Sequence, residues 1–477
     1  MNIHFLLLLT ITCSIWSSCQ SQKQLTNSTN INAPVAFPGA EGFGKFTVGG
    51  RGGQVRTVSN LNDNGPGSLR AALQGEAAKI IVFSVSGTIH LLSALQIKSN
   101  TTIAGQTAPG DGICVADHST SLSGDNIIVR YMRFRMGDRY QNAGMVDRAG
   151  SDDAFGGGMK RKNIIVDHCS LSWSEDEVFS VYGGDSTTLQ WNLIAEPLNY
   201  SYHFEAGDKD FEQHGFGGIL GGRHISIHHN LYAHCRSRTP RFDGNRNIKP
   251  FTELADFTNN VIYNWGINNV YAGEGGNYNI TNNYYKPGPN TSASSSRHIA
   301  NPYKRDPDLP FGKWFINGNF LEGSSTVTAD NWTGVVLEKG NATDLVNVKR
   351  TSPFEVINVA TQSAKQAYDL VLANVGASYR RDTLDSRIIM NVKNSTGRII
   401  DVQGGFPHGT PYEISKIAWP ELKTGNVPVD KDADGMPDEW EIKNGLNPST
   451  KEDASINSLD KHYTNIEVYI NSLTSDR

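Results

Sequence analysis

The chain has 477 residues and a formal net charge of −5, with 48 glycines against 7 methionines. That length allows one large domain plus something smaller, and the abundance of Gly and Asn favours many short strands and turns over a helical bundle. The charge balance carries no electrostatic footprint for nucleic acid, and after residue 20 no stretch is apolar over the ~18 residues a membrane helix needs.

The first element is a targeting segment. Phe5-Leu6-Leu7-Leu8-Leu9-Thr10-Ile11 is an apolar core too short to span a bilayer. Ser17-Ser18 then precede Cys19, which resembles the lipobox of bacterial lipoproteins. Residues 1–19 are therefore expected to be a signal segment of the lipoprotein type. A lipid at Cys19 would be the only membrane attachment of a secreted or extracytoplasmic protein; the alternative is ordinary cleavage and free secretion. Residues 20–34 are polar and read as a tether. Two of the five cysteines lie in the leader, so only Cys114, Cys169 and Cys235 remain. Three widely spaced cysteines make no disulfide framework and are expected to pack as small buried hydrophobes.

Residues 35–425 repeat. Short strand-like runs end in Asn or His again and again: Asn163–His168, Thr188–Asn192, Ile225–Asn230, Phe257–Asn260, Ile280–Asn283 and Ile316–Asn319. The terminal residues Asn192, Asn230, Asn260, Asn283 and Asn319 are spaced 38, 30, 23 and 36 apart. A minimum near one coil length, with larger values from insertions, predicts an all-β, right-handed parallel β-helix of three short strands per coil, with loops growing from the turns. Asn suits the corners because it tolerates left-handed backbone, and stacked Asn side chains can form a ladder inside the coil. A β-sandwich is the alternative, disfavoured by asymmetric loops and the lack of two-residue hairpin signals.

Charged residues cluster on this repeat. Asp152-Asp153 precede one strand, and the next coil carries Glu175-Asp176-Glu177. If the coils stack in register, these carboxylates share one face and need a cation; hard oxygen ligands favour calcium. Further on, Cys235-Arg-Ser-Arg-Thr-Pro-Arg-Phe-Asp243 places Arg236, Arg238 and Arg241 at a strand end, where guanidinium groups suit an acidic ligand.

At this point the chain resembles the pectate lyases of polysaccharide lyase family 1. The resemblance rests on Asp153-Ala-Phe155, Ile164–Ser170, His228-His229-Asn230, Arg238-Thr-Pro240, Asn100–Pro109 and Asn126–Arg135. It implies Ca2+-dependent β-elimination of polygalacturonate, or pectin, to 4,5-unsaturated products. It assigns Arg238 as the base, with Arg241 binding a substrate carboxylate in place of the arginine that the family often carries where Asp243 stands. His214, then Lys209, stand for a substrate-binding lysine of the family, and Arg236 lies on the same segment. Asp153 and Asp176 map to the calcium ligands, followed by Glu177 and Glu175. Asp167, His168, His228 and His229 read as structural. The other readings are a pectin lyase or another uronan lyase, or a non-catalytic glycan-binding β-helix.

Residues 426–477 form the last predicted element. Asp430, Asp432, Asp434, Gly435 and Glu441 match D-x-D-x-D-G followed by five residues and Glu, with Met436 and Asp438 at the intervening positions. The segment resembles the calcium loops of dockerin-like modules, and Tyr463–Leu473 reads as a short helix behind it. No second full loop follows, so a structural calcium clip is expected, with partner docking as the alternative. The protein is expected to be a monomer.

Overall fold

Runs such as Lys162–Asp167 and Ile225–His228 are buried along nearly their whole length, the mark of parallel strands covered on both faces. In the computed structural model, which describes residues 33–139, 144–147 and 149–474, they stack into three parallel ladders. The leader and Cys19 lie outside the described residues.

The first ladder runs from Gln54–Val58 to Lys313–Asn317. The second has nine strands, from Gly87–His90 to Phe320–Leu321. The third climbs through Thr120–Leu122, Phe155–Gly157, the start of Phe179–Gln190, Ile219–Gly222, Arg241–Phe242, Val270–Ala272 and Ala300–Pro302. Every ladder pairing is parallel, so the architecture is the expected right-handed parallel β-helix and not a sandwich.

Its interior holds the predicted asparagine ladder. The Oδ1 of Asn230 accepts from the backbone N–H of Asn192 at 2.9 Å and from its side-chain amide at 3.0 Å. The same pair of bonds recurs from Asn230 to Asn260, Asn260 to Asn283, and Asn283 to Asn319. A sixth rung, Asn331, was not expected. The residue before each of the first four rungs, Trp191, His229, Asn259 and Asn282, has φ between 55° and 56°. This left-handed corner turns the chain between ladders. The three cysteines are free and buried.

Strands end at Leu321, well inside the span expected for the solenoid. The helices Ala364–Asn374 and Thr383–Asn394 lie against the second ladder, packing Val371, Leu372, Ile388 and Val392 on Leu231, Ala233 and Val261. Buried Arg135 pairs with Asp382 at 2.6 Å and Asp385 at 2.8 Å to pin the second of these helices. The C-terminal segment packs on the first ladder: Met436, Ile466 and Ile470 cover Ile80, Val82 and Ala104.

Candidate active site

The third ladder builds the site because its strand ends carry the charges. Phe155 is in register with Phe179, which sets Asp152-Asp153 beside Asp176-Glu177 on the next coil. The backbone agrees: Asp176 N–H donates to Asp152 O at 3.2 Å, and Ala154 N–H donates to Glu177 O at 3.0 Å. Two coils on, Ile219 pairs with Arg241, while isolated bridges align Glu177 with Phe216 and Phe216 with Ser237. Acidic and basic corners therefore lie side by side over successive coils. They line a cavity of about 490 Å³ that includes Asp152, Asp153, Asp176, Glu177, Arg238 and Arg241.

On the acidic wall, Asp153, Asp176 and Glu177 each bring a carboxylate oxygen to within 4.8 Å of the others. Asp153 Oδ1 accepts from Glu177 N–H at 3.1 Å. Burial, and then the charge of Asp176, push the Asp153 carboxyl well above the usual carboxylate range. Asp152 is raised as well, mainly by burial. Such a hard-oxygen set, with its charges opposing one another, fits a calcium ion.

On the basic wall, Arg238 has φ 60°, a conformation held against its intrinsic cost as functional residues often are. Its guanidinium lies 4.2 Å over the Phe216 ring and pairs with Glu177. Arg241 is buried, its Nη1 donating to Phe242 O at 3.1 Å, while Nη2 has no hydrogen-bond partner. Burial, and then neighbouring Arg246, lower the Arg241 pKa. Nη2 stands 3.6 Å from Glu274 Oε1, and a buried donor without a hydrogen bond is a ready seat for a substrate carboxylate.

The remaining expected residues are placed elsewhere. Arg236 donates to Gln213 O at 2.6 Å and does not line the cavity. Lys209 is exposed on the loop between Leu193–Ala195 and Ile219–Gly222, also off the cavity. His214 lies at the foot of that loop, 3.3 Å from Asp176. Glu175 is buried apart from the acidic trio; burial and the neighbouring Asp138 carboxyl raise its pKa. Asp167, His168, His228 and His229 do not line the cavity. Asp167 accepts from Arg130 at 2.9 Å and from Gln190 at 2.8 Å, and His229 stacks on Trp191.

Sequence reasoning missed Arg246 and Arg305, which complete the basic wall. Both approach buried Glu274, whose Oε1 lies 3.8 Å from Arg246 and accepts from Arg305 N–H at 3.0 Å. Arg305 arrives from a later coil, so no local motif marks it.

The C-terminal loop is a second acidic centre. Asp430, Asp432 and Asp434 form one carboxylate group, and Asp434 and Glu441 join Asp453 in another. Both oxygens of Asp432 and of Glu441 are buried without hydrogen bonds, as are one of Asp434 and one of Asp453. Orphaned buried carboxylate oxygens of this number fit a cation. Met436 is buried, whereas Asp438 spends Oδ1 on Lys431 N–H at 2.8 Å. Asp453, twelve residues past Glu441, had no spacing signal.

Fold and groove together define a β-helical polysaccharide lyase. The chain belongs to the pectate lyase family: it is 35% identical to a probable pectate lyase C of Aspergillus flavus over 96% of this chain and 97% of the relative, and 36% identical to that of Aspergillus terreus over 93% and 95%. No family model matches the chain. Among solved structures, the cedar pollen allergen jun a 1 aligns with 71% of this chain and 92% of its own at TM-score 0.51 and 19% identity, a likeness of fold.

Proposed function

We propose that the enzyme cleaves polygalacturonate by Ca2+-dependent β-elimination, with Asp153, Asp176 and Glu177 holding the ion and Arg238 acting as base. The observation that supports this reading is the carboxylate trio facing Arg238 and Arg241 across one cavity. Arg238 takes the proton at C5 of the uronate, the C4–O bond to the next sugar breaks as C4=C5 forms, and the leaving oxygen is protonated from solvent. Arg241 offers Nη2, which makes no hydrogen bond of its own, to a substrate carboxylate, and Arg246 and Arg305 extend positive charge along the groove for neighbouring uronates. Calcium in the trio would neutralise the uronate and make its C5 proton more acidic. A methylated substrate would have no use for so charged a groove, which disfavours a pectin lyase.

The test is ultraviolet absorbance of the purified protein acting on polygalacturonate, with Ca2+ and then with excess chelator. Rising absorbance from the unsaturated product, lost on chelation, is expected. Turnover that survives chelation would overturn the calcium role.

In the same reading the C-terminal loop is a structural calcium clip formed by Asp430, Asp432, Asp434, Met436 and Glu441, with Asp453 replacing Asp438 as a carboxylate ligand. The mature protein is a secreted monomer beginning at Cys19, with residues 20–34 as tether. Cys19→Ala should move it from the membrane fraction to the medium; an unchanged distribution would remove the lipid anchor.

A further inference from the structure

Residues 199–214 leave the solenoid beside the acidic wall and return to it as a closed loop. Tyr200 bridges Gln213, Glu212 N–H donates to His203 O at 2.9 Å, and His214 N–H donates to Asn199 O at 2.8 Å. This closure brings His203, Glu212 and His214 together against Asp176. The two imidazole rings stand with centroids 3.8 Å apart, and both histidines are more than nine-tenths buried, at 2% and 8% exposure.

The donor atoms have no hydrogen-bond partners. His203 Nε2, His214 Nδ1 and Asp176 Oδ1 are all buried and unsatisfied. Each has a near neighbour just beyond hydrogen-bonding range: His203 Nε2 lies 3.4 Å from Glu212 Oε2, His214 Nδ1 is 3.5 Å from the same oxygen, and His214 Nε2 is 3.3 Å from Asp176 Oδ1. Imidazolium–carboxylate hydrogen bonds would close to about 2.7–2.9 Å, and two imidazolium rings this close would repel. Ligands held at about 2.0–2.1 Å around a tetrahedral ion, by contrast, stand roughly 3.3 Å from one another, near the 3.4 and 3.5 Å of His203 Nε2 and His214 Nδ1 from Glu212 Oε2; His214 gives one ion only one of its two nitrogens. His203 is also oriented as metal-bound histidines are. Its Nδ1 lies 2.9 Å from the Gly150 carbonyl, which fixes the proton on Nδ1 and leaves the Nε2 lone pair free.

We propose that Asp176, His203 and His214, with Glu212 beside both rings, form a site for a divalent transition metal of the Zn2+ class. One donor atom from each of the three lies within 4.8 Å of the others. The mixed nitrogen and oxygen donors select against calcium, which takes oxygen ligands, and for metals that favour imidazole. The site is therefore distinct in chemistry from the all-oxygen trio next to it. Asp176 belongs to both, so its carboxylate bridges the two ions through its two oxygens. Glu212, with a side chain 37% exposed, opens the site to solvent.

The test titrates Co2+ into the untagged, full-length, chelator-treated protein held at saturating Ca2+. One Co2+ per chain is expected, with the intense visible bands of a tetrahedral site, displaced by Zn2+. His203→Ala and Glu212→Gln should each weaken binding at least tenfold, as loss of a ligand or of its support does. Absence of those bands in the wild-type protein, or their persistence in folded His203→Ala, would overturn the site. The readout is spectroscopic and needs no substrate, so it stands or falls separately from the lyase reading.

Discussion

Arg238 shows how much one side chain can depend on its surroundings. A guanidinium in water is a poor base; this one lies on Phe216, faces Glu177 and shares its cavity with Arg241. Arg238→Ala should lower kcat about 10²- to 10⁴-fold, the usual weight of general base catalysis, with polygalacturonate binding preserved in a pull-down on insoluble substrate. Arg241→Ala should instead raise KM, because in the proposed reaction its Nη2 would contact substrate before and during the chemical step. A different titration belongs to Asp256. It is buried on the first ladder between Ser226 and Asn279 in register, and burial pushes its carboxyl up to about 6. The unfolded chain releases that proton at about pH 4, so folding takes up a proton in between and stability falls as pH rises through that window. Asp256→Asn should therefore raise Tm at pH 7, by about 1–3 kcal/mol of stability, and give no gain near pH 4. An equal gain at both pH values would remove ionisation as the cause.

At the scale of elements the asparagine ladder is the decisive device. Each rung satisfies two donors of the rung before it and spends its own amide on carbonyls of neighbouring coils, as Asn260 does on Ile227 O at 2.9 Å. Asn260→Ala removes the acceptor of the buried Asn230 backbone N–H and the donor to Ile227 O, which should cost about 2–4 kcal/mol, read as a lower denaturation midpoint with the m-value unchanged. The ladder was legible in the sequence because its period is local: one Asn just past the end of each of the last five first-ladder strands. The helices Ala364–Asn374 and Thr383–Asn394 were not, since they carry no repeat and pack on the second ladder. Their placement depends on long-range pairs such as Arg135 with Asp385, 250 positions apart.

For the whole molecule, the C-terminal segment is joined to the early coils of the solenoid. Gly435 has φ 94°, and a Cβ there would come within 2.9 Å of Val55 on the first coil. Arg51 reaches Glu467 at 2.9 Å, and Arg130 reaches Asn471 at 3.2 Å. A calcium ion in the loop would thus hold the cover over Ile80 and Val82. Chelation should lower Tm, and at 100 times Kd restored calcium should return about 2.7 kcal/mol. Asp434→Asn with Glu441→Gln should abolish that increment and leave the calcium requirement of turnover in place, whereas Asp153→Asn should do the reverse. The sequence by itself determined the coil repeat, the Asn corners, the acidic and basic strand ends and the loop's acidic spacing, because each is a pattern of near neighbours. Tertiary structure alone set Glu175 and Arg236 off the cavity, Arg246 and Arg305 along it, Asp453 beside Asp434 and Glu441, and His203 beside Asp176 and His214: stacking coils and closing loops set side chains together by register and insertion length, which no local spacing records.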